Sequence, residues 1–176
     1  MILPIILYGN PILRKKCLNI DFISSRKVTD KLIKDMYETV HKVNGIGLAA
    51  PQIGKNISLF IINIPFFNGK KIIYFQEVFI NAFILKIYGK EYKFNEGCLS
   101  IPGIMSYIKR KSNVLIEYYD KNYNKQKKKL SGMCARIILH EYDHLNGKLF
   151  IDYLSYKKRK LIEKKLIFIQ KNHIKT

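Results

Sequence analysis

The segment LHEYDHLNG, residues 139–147, places two histidines four residues apart with a glutamate between them. Residues at this spacing lie one turn apart on the same face of an α-helix, so a helix here brings His140 and His144 together, with Glu141 beside them. Such a pair can bind one metal ion, and the glutamate can reach a water molecule on that ion. The segment therefore predicts a helix that carries part of a metal site, with Ser131 as its candidate N-cap.

The third metal ligand decides between a metal site and an ordinary charged helix, because histidines at this spacing also occur on exposed helices. Downstream, His173 and Glu163 lie in a lysine-rich tail and are poor candidates. Upstream, the segment NEGCLSIPG contains Cys98. A thiolate with two imidazoles leaves an open position for water, although a buried core cysteine is the alternative. Asp143 could hold one of the histidine rings in place.

A third segment, GIGLAAPQIG at residues 45–54, matches a variant of the glycine-rich dinucleotide loop. That loop requires a strand before it and a helix opening inside it. Here a helix is predicted before it, and Pro51 and Gly54 interrupt it. The segment is better interpreted as a loop whose glycines let a substrate backbone approach, with Gln52 donating a hydrogen bond to a developing oxyanion.

The remaining patterns predict helices on either side of a group of strands. Helical spacing of apolar residues indicates helices over 28–45 and 153–170, with Ile33, Met36, Val40 and Val43 on the inner face of the first. Runs rich in Ile, Phe and Tyr predict strands over 56–64, 70–75, 77–87 and 112–120, and the basic segment 122–130 is a hairpin or loop. This order favours an α+β domain.

The 32 basic and 13 acidic residues give a net charge of +19. This charge favours phosphate-rich partners, although a codon bias toward Lys, Ile, Asn and Tyr is an alternative origin. The three cysteines form no even disulfide-like set, which fits a reducing cytosol. No signal-peptide or transit-peptide pattern is present, and no apolar run approaches the ~20 residues that cross a bilayer. We therefore expect no membrane association.

Three segments in this order, GIGLAAPQ, EGCLS and HEYDH, resemble the signature motifs of the peptide deformylase family. The opening ILYGNPILRKK is similar to the usual start of that family, and the likeness covers most of residues 1–155. It implies an α+β fold with small antiparallel sheets around the motif helix, flanked by N-terminal and C-terminal helices. Residues 1–155 would be the catalytic metallohydrolase domain, and residues 156–176 a basic helical tail.

The resemblance implies a bacterial cytoplasmic enzyme that removes the N-formyl group from the N-terminal methionine of new polypeptides and releases formate. It implies one divalent metal ion, usually Fe²⁺, with Zn²⁺, Ni²⁺ or Co²⁺ as alternatives. On the matching positions, Cys98, His140 and His144 would be the ligands and Glu141 the general acid and base.

The resemblance also implies an oxyanion hole formed by Gln52 and the backbone N–H of Leu99, and it places Gly47 along the peptide groove. An extended peptide would add to a strand edge through main-chain hydrogen bonds. An apolar pocket would take the methionine side chain. Its candidate walls are Ile46, Met133 and Ile137, the last two because they share the histidine side of the helix.

Three positions depart from the family pattern. Leu139 stands where many members have Gln, and because it faces away from the ligands, the change would affect supporting hydrogen bonds. Arg136 stands where an apolar residue is common, on the metal side of the helix, and could pair with Glu96. Met105 stands where many bacterial members carry Arg.

The C-terminal tail predicts a basic helix, because residues 157–175 carry many lysines and one acid, Glu163. Leu154, Leu161 and Phe168 recur every seven residues and could hold one face against the domain. The lysines would then face ribosomal RNA, with a solvated lysine face as the alternative. Two other functions stay open: a zinc endopeptidase, against which Cys98 argues, and a catalytically weak RNA-binding or ribosome-binding protein.

Overall fold

The computed structural model describes residues 1–69 and 71–173, apart from the side chains of Ile23, Asn172 and His173. Lys70, expected at the start of a strand, and tail residues 174–176 lie outside the described residues, as does the side chain of the candidate ligand His173.

An antiparallel sheet forms the centre of the described chain, with the strands in sequential order. Its strands are β1 (Gly47–Ala49), β2 (Leu59–Asn68), β3 (Lys71–Cys98), β4 (Ile101–Tyr119) and β5 (Lys125–Ser131). The segments predicted over 70–75 and 77–87 form one strand, β3, whose pairing with β4 is interrupted by register shifts. The first half of β4 was not predicted. The basic segment forms β5, which pairs with β4.

The described helices pack around this sheet: α1 (Phe22–Lys42), α2 (Gly132–Leu145) and α3 (Tyr156–His173). The predicted α+β class is therefore confirmed, although the strands join in one continuous order instead of separate small sheets. Among the residues that the structure describes, no helix combines the length and apolar character needed to cross a membrane.

Strand β2 forms the middle layer between two helices, which explains why its first four residues are all apolar. Phe60 and Ile62 pack in the same cluster as Ile138 of α2, whereas Ile61 packs in the cluster of Met36 and Val40 of α1. Successive side chains of a strand point to opposite faces, so both faces of β2 are buried.

Helix α1 begins earlier than predicted and ends before Val43, which is exposed, while Ile33, Met36 and Val40 are buried as expected. Helix α2 agrees with prediction: Ser131 occupies the N-cap position, although its side chain makes no capping hydrogen bond there. The segment predicted as a loop over 45–54 contains β1 and a 3₁₀ turn, Ala50–Ile53. It has neither the preceding strand nor the opening helix of a dinucleotide loop.

The predicted inner face of the C-terminal helix is wrong. Leu161 and Phe168 are 83% and 67% exposed, while Leu166 and Ile169 are buried against the cluster that contains Ile101. Ile162 and Leu154 are partly buried there. The stripe 162–166–169 is apolar throughout, whereas the alternative stripe 161–165–168 includes Lys165. This difference explains which side of the helix packs against the domain. α3 thus shares an apolar cluster with residues of the preceding domain. The division of the chain into a catalytic domain, 1–155, and a tail, 156–176, stays a prediction.

Candidate metal centre

Three side chains from two elements meet beside the sheet. Cys98 ends β3, and His140 and His144 lie one turn apart on α2. Their ligand atoms all lie within 4.8 Å of one another, and this is the one such group of possible metal ligands among the described residues. The distance from Cys98 Sγ to His144 Nε2 is 3.3 Å. Tetrahedral sites with bonds of about 2.0–2.3 Å have ligand separations of roughly 3.3–3.8 Å. The distance between Cys98 and His144 lies in this range, and the group could hold one metal ion.

The local backbone explains why Cys98 faces the helix instead of being an ordinary core cysteine. The pairing of β3 with β4 shifts register between Gly97 and Cys98, and Cys98 then pairs with Ile101 across a tight turn. Its sulfur is half-buried and also lies 3.4 Å from Gln52 Nε2. The thiol is therefore held at the end of the strand and in contact with both other segments of the site.

Glu96 fixes the orientation of the first histidine. Its Oε2 lies 3.2 Å from His140 Nδ1. Burial alone would raise the pKa of Glu96, but hydrogen bonds from His140 and Arg110 outweigh burial and lower the pKa to about 2. An ionised carboxylate can only accept, so His140 Nδ1 carries the proton and Nε2 is left to bind a metal. Glu96 lies two residues before Cys98, on the same side of the strand, which is the signal that could have identified it.

The charged residues around Glu96 differ in part from the sequence interpretation. The predicted pairing of Arg136 with Glu96 is confirmed. Asp143, expected to hold a histidine ring, instead accepts hydrogen bonds from Arg110 Nη1 at 2.8 Å and from the hydroxyl of Tyr153 at 3.0 Å. Arg110 was missed, because one buried arginine in a strand cannot be distinguished by sequence in a chain this rich in basic residues.

Glu141 lies beside the ligand group without belonging to it. It is buried, and burial raises its pKa to about 7 despite the opposing charges of His140 and Arg110. Its Oε2 is buried with no hydrogen-bond partner among the groups that the structure describes. Burial also lowers the pKa of His144, which favours the neutral imidazole that a metal requires. The site therefore combines candidate ligands with a carboxyl group that can exchange a proton near neutral pH.

Gln52 is oriented by its own segment. Its Oε1 accepts a hydrogen bond from the Ala49 N–H at 2.8 Å, so its amide nitrogen points toward the site. That nitrogen donates to Ser100 Oγ at 3.3 Å and approaches the sulfur of Cys98. Leu99 follows Cys98 directly and lines the same cleft. Two hydrogen-bond donors expected at an oxyanion hole are thus near the candidate metal ligands.

A cleft of about 600 Å³ opens over these groups. It is lined by all three predicted pocket residues, of which Ile46 and Met133 are exposed and Ile137 is buried. Met105 lies on the cleft wall and is exposed. The wall residues that sequence reasoning missed come from the β3–β4 hairpin and include Phe94, Pro102, Gly103 and Ile104.

Leu139 is not the site of a missing polar group. It is 5% exposed and belongs to the cluster that contains Phe60 and Phe79. A glutamine there would be surrounded by apolar side chains, which corrects the interpretation that supporting hydrogen bonds are lost at this position.

Residues 2–160 match the family model described as polypeptide deformylase. The peptide deformylase of Karelsulcia muelleri (strain GWSS) is 55% identical over 152 residues, covering 86% of this chain and 78% of that protein. A solved plant peptide deformylase is similar with a TM-score of 0.86 and 36% identity, covering 97% of this chain and 90% of the other. The solved peptide deformylase of Ehrlichia chaffeensis has a TM-score of 0.85 and 33% sequence identity, covering 96% of this chain and 96% of the other.

Proposed function

The chain belongs to the polypeptide deformylase family, and on that premise we propose that Cys98, His140 and His144 hold its divalent metal ion. Members of this family are metal-dependent hydrolases, and this chain is an enzyme that removes the N-formyl group from newly synthesised polypeptides and releases formate. The observation that carries the ligand assignment is the convergence of one sulfur and two imidazole nitrogens within 4.8 Å of one another.

The side chains around the ligands have separate tasks in the proposed mechanism. When bound, the metal ion supplies a hydroxide nucleophile by lowering the pKa of a water molecule. Glu141 accepts the proton of the attacking water and delivers it to the departing amine nitrogen, a task that suits a carboxyl group with a pKa of about 7. Gln52 Nε2 and the N–H of Leu99 donate hydrogen bonds to the former carbonyl oxygen as negative charge develops on it.

The formylated peptide lies in the cleft, with its backbone along β1. This strand is at the end of the sheet order, so one of its edges has no neighbouring strand among the described residues, and the peptide would form main-chain hydrogen bonds there. Such bonds depend little on side-chain identity, which suits an enzyme that acts on many nascent chains. The methionine side chain occupies the apolar part of the cleft, between Ile46, Met133 and Ile137.

We propose Fe²⁺ as the native metal, because it is the metal that the resemblance to the family implies. The donor set of one thiolate and two imidazoles also suits Zn²⁺, Ni²⁺ and Co²⁺. Elemental analysis of protein purified without oxygen tests the assignment, and another metal in stoichiometric amount would overturn it. The location proposed for the enzyme is the bacterial cytoplasm, where formylated chains are made and where its three unpaired cysteines would stay reduced.

The decisive experiment combines formate release from formyl-Met peptides with metal analysis. Replacing Cys98, His140 or His144 by Ala is expected to abolish both metal binding and formate release, and His173→Ala is the matched control that keeps both. Full metal content in any ligand variant would contradict the ligand assignment. Cleavage of internal peptide bonds, instead of formyl groups, would indicate the endopeptidase alternative.

We further propose that the exposed side of α3 docks on the ribosome. Leu166 and Ile169 hold the opposite side against the domain, which leaves a row of exposed lysines facing outward. Contacts of these lysines with ribosomal RNA phosphates would bring the enzyme to emerging chains and would weaken steeply with added salt.

Lysine substitutions test this docking better than truncation, because α3 contributes to the core. One variant carries Gln at Lys157, Lys158, Lys164 and Lys165. The control carries Gln at Lys121, Lys125, Lys127 and Lys129, which are exposed near and on β5. Co-sedimentation with ribosomes at low and moderate salt should decrease only for the first variant. Equal losses in both variants would indicate binding by overall charge.

A further inference from the structure

Arg136 is an unusually buried arginine on α2, the helix that carries two of the candidate ligands. It lies one turn before His140 and is 2% exposed, although arginine is rarely this buried without partners. Its Nη1 donates to Glu96 Oε1 and to the carbonyl of Ile108 at 3.1 Å, and its Nη2 donates to the carbonyl of Tyr92 at 2.7 Å. The guanidinium also lies 4.3 Å from the centre of the Tyr92 ring. Its planar group is therefore held in one orientation.

Each carboxylate oxygen of Glu96 contacts two donor groups. Oε1 accepts from Arg136 and from Arg110 Nε at 2.8 Å, while Oε2 accepts from Arg110 Nη2 at 3.1 Å and lies 3.2 Å from His140 Nδ1. The carboxylate cannot rotate without breaking several of these bonds at once. Arg110 holds it along one side and Arg136 holds it from the helix that bears the histidines.

The charges of the four buried side chains around Glu96 also balance. Glu96 and Asp143 are the two acids, and Arg110 and Arg136 are the two bases that contact them. All four side chains are largely buried. Removing Arg136 would leave one buried carboxylate in excess beside His140, and an uncompensated buried charge is strongly unfavourable.

We propose that Arg136 is a positioning residue for the metal centre, acting through Glu96 to hold the His140 ring with Nε2 directed at the metal position. The inference rests on the ligand set proposed above. Arg110 still contacts Glu96 when Arg136 is absent, so loss of Arg136 weakens the metal centre without abolishing it. Partners of metal-binding histidines typically contribute about 10–100-fold to affinity or activity, and we expect the lower end of that range.

The test measures how fast the full-length protein, loaded with Co²⁺, loses the ion to excess EDTA. Arg136→Met should raise the rate about 10-fold and alter the visible absorption of Co²⁺, which reports the ligand geometry. Arg136→Lys keeps the charge but provides a single donor group and should give an intermediate rate. Met36→Ala, which alters the core beside α1, is the control and should leave the rate unchanged. Wild-type rates for both Arg136 variants would overturn the proposal.

A double-mutant cycle with Glu96→Gln separates positioning from general destabilisation. If Arg136 acts through Glu96, Arg136→Met should add little to the rate once Glu96 is replaced. A full additional increase in that background would overturn the proposal. If Arg136→Met does not fold, the same cycle is made with Arg136→Lys. Failure of the ligand assignment is distinguishable, because Cys98→Ala and His144→Ala would then still bind Co²⁺ as the wild type does.

Discussion

Gly47 and Glu141 lie so close together that a methyl group on Gly47 would overlap the Glu141 carboxylate. Gly47 is not among the residues with positive φ, so glycine is required here for space and not for backbone conformation. β1 therefore passes directly over the carboxylate of α2, at the point where the substrate backbone is proposed to lie.

Gly47→Ala should reduce turnover while leaving metal content intact. The added methyl group would displace the Glu141 carboxylate, and a displacement of about 1 Å at a catalytic group can cost roughly 10²-fold in rate. Steady-state formate release, measured beside metal content, checks the expectation. A variant with normal kcat would show that the carboxylate can shift without consequence.

Glu141→Ala should retain the metal ion and lose nearly all activity. The glutamate is placed to move protons and lies outside the ligand group. General acid–base catalysis typically contributes about 10²–10⁴-fold. Single-turnover formate release at matched metal content measures the loss, with Glu163→Ala in the exposed part of α3 as the control. Near-normal turnover by Glu141→Ala would remove this residue from the mechanism.

Leu139→Gln should destabilise the protein without improving metal retention. The new amide would enter an apolar cluster, and an unsatisfied buried polar group costs about 1–3 kcal/mol. Leu139→Met nearly conserves volume and should cost less than about 1.5 kcal/mol. Urea denaturation of the two variants provides the comparison. Greater metal retention in Leu139→Gln at unchanged stability would restore the view that a polar group is missing.

The candidate ligands His140 and His144, with Glu141 beside them, could be singled out from the sequence because the spacing of their motif has a local geometric meaning on a helix. Cys98 was chosen over a buried core cysteine only through the resemblance to the family motifs. The arrangement around Glu96 could not be identified from the sequence, because Arg110 reaches it across a strand pair and Arg136 reaches it from a helix. These contacts depend on strand register and helix placement, which are long-range properties. Only the Arg136 contact was anticipated, from the side of the helix that this residue occupies.

The helices, β2, the first part of β3 and the second part of β4 were also predictable, since periodicity is a local property. β1 and the hairpin half of β3 and β4 were not predicted as strands. The orientation of α3 was not predictable, because two apolar stripes compete on that helix and only packing against Ile101 and its neighbours selects one. Leu139 was misinterpreted for a similar reason: its direction on α2 was correct, but the core that receives it is built from β2 and β3.

Asp152 should stabilise the protein in a pH-dependent manner. Burial would raise its pKa, but the hydrogen bonds from Arg14, the Leu149 N–H and Arg159 outweigh burial and lower the pKa below its usual value. A carboxyl group with a lowered folded-state pKa contributes stability above its unfolded pKa and loses that contribution as pH falls through the folded pKa.

Urea midpoints of the wild type and Asp152→Asn should therefore differ most near neutral pH and converge below about pH 4. Glu163→Gln, which removes one exposed ion pair with Lys160, is the control and should show little difference at any pH. If the difference in urea midpoint between the wild type and Asp152→Asn stays constant down to acidic pH, the effect arises from packing instead of charge.

Leu166→Ala should destabilise the protein far more than Leu161→Ala, although both remove the same atoms from the same helix. Leu166 is buried in the apolar cluster that contains Ile101, where leucine-to-alanine changes cost about 2–5 kcal/mol. Leu161 is exposed, so its replacement should stay within about 0.5 kcal/mol. Urea denaturation at equal metal content measures both changes. Equal and small effects would mean that α3 is only loosely attached, and a truncation after Tyr156 would then be a clean test of ribosome docking.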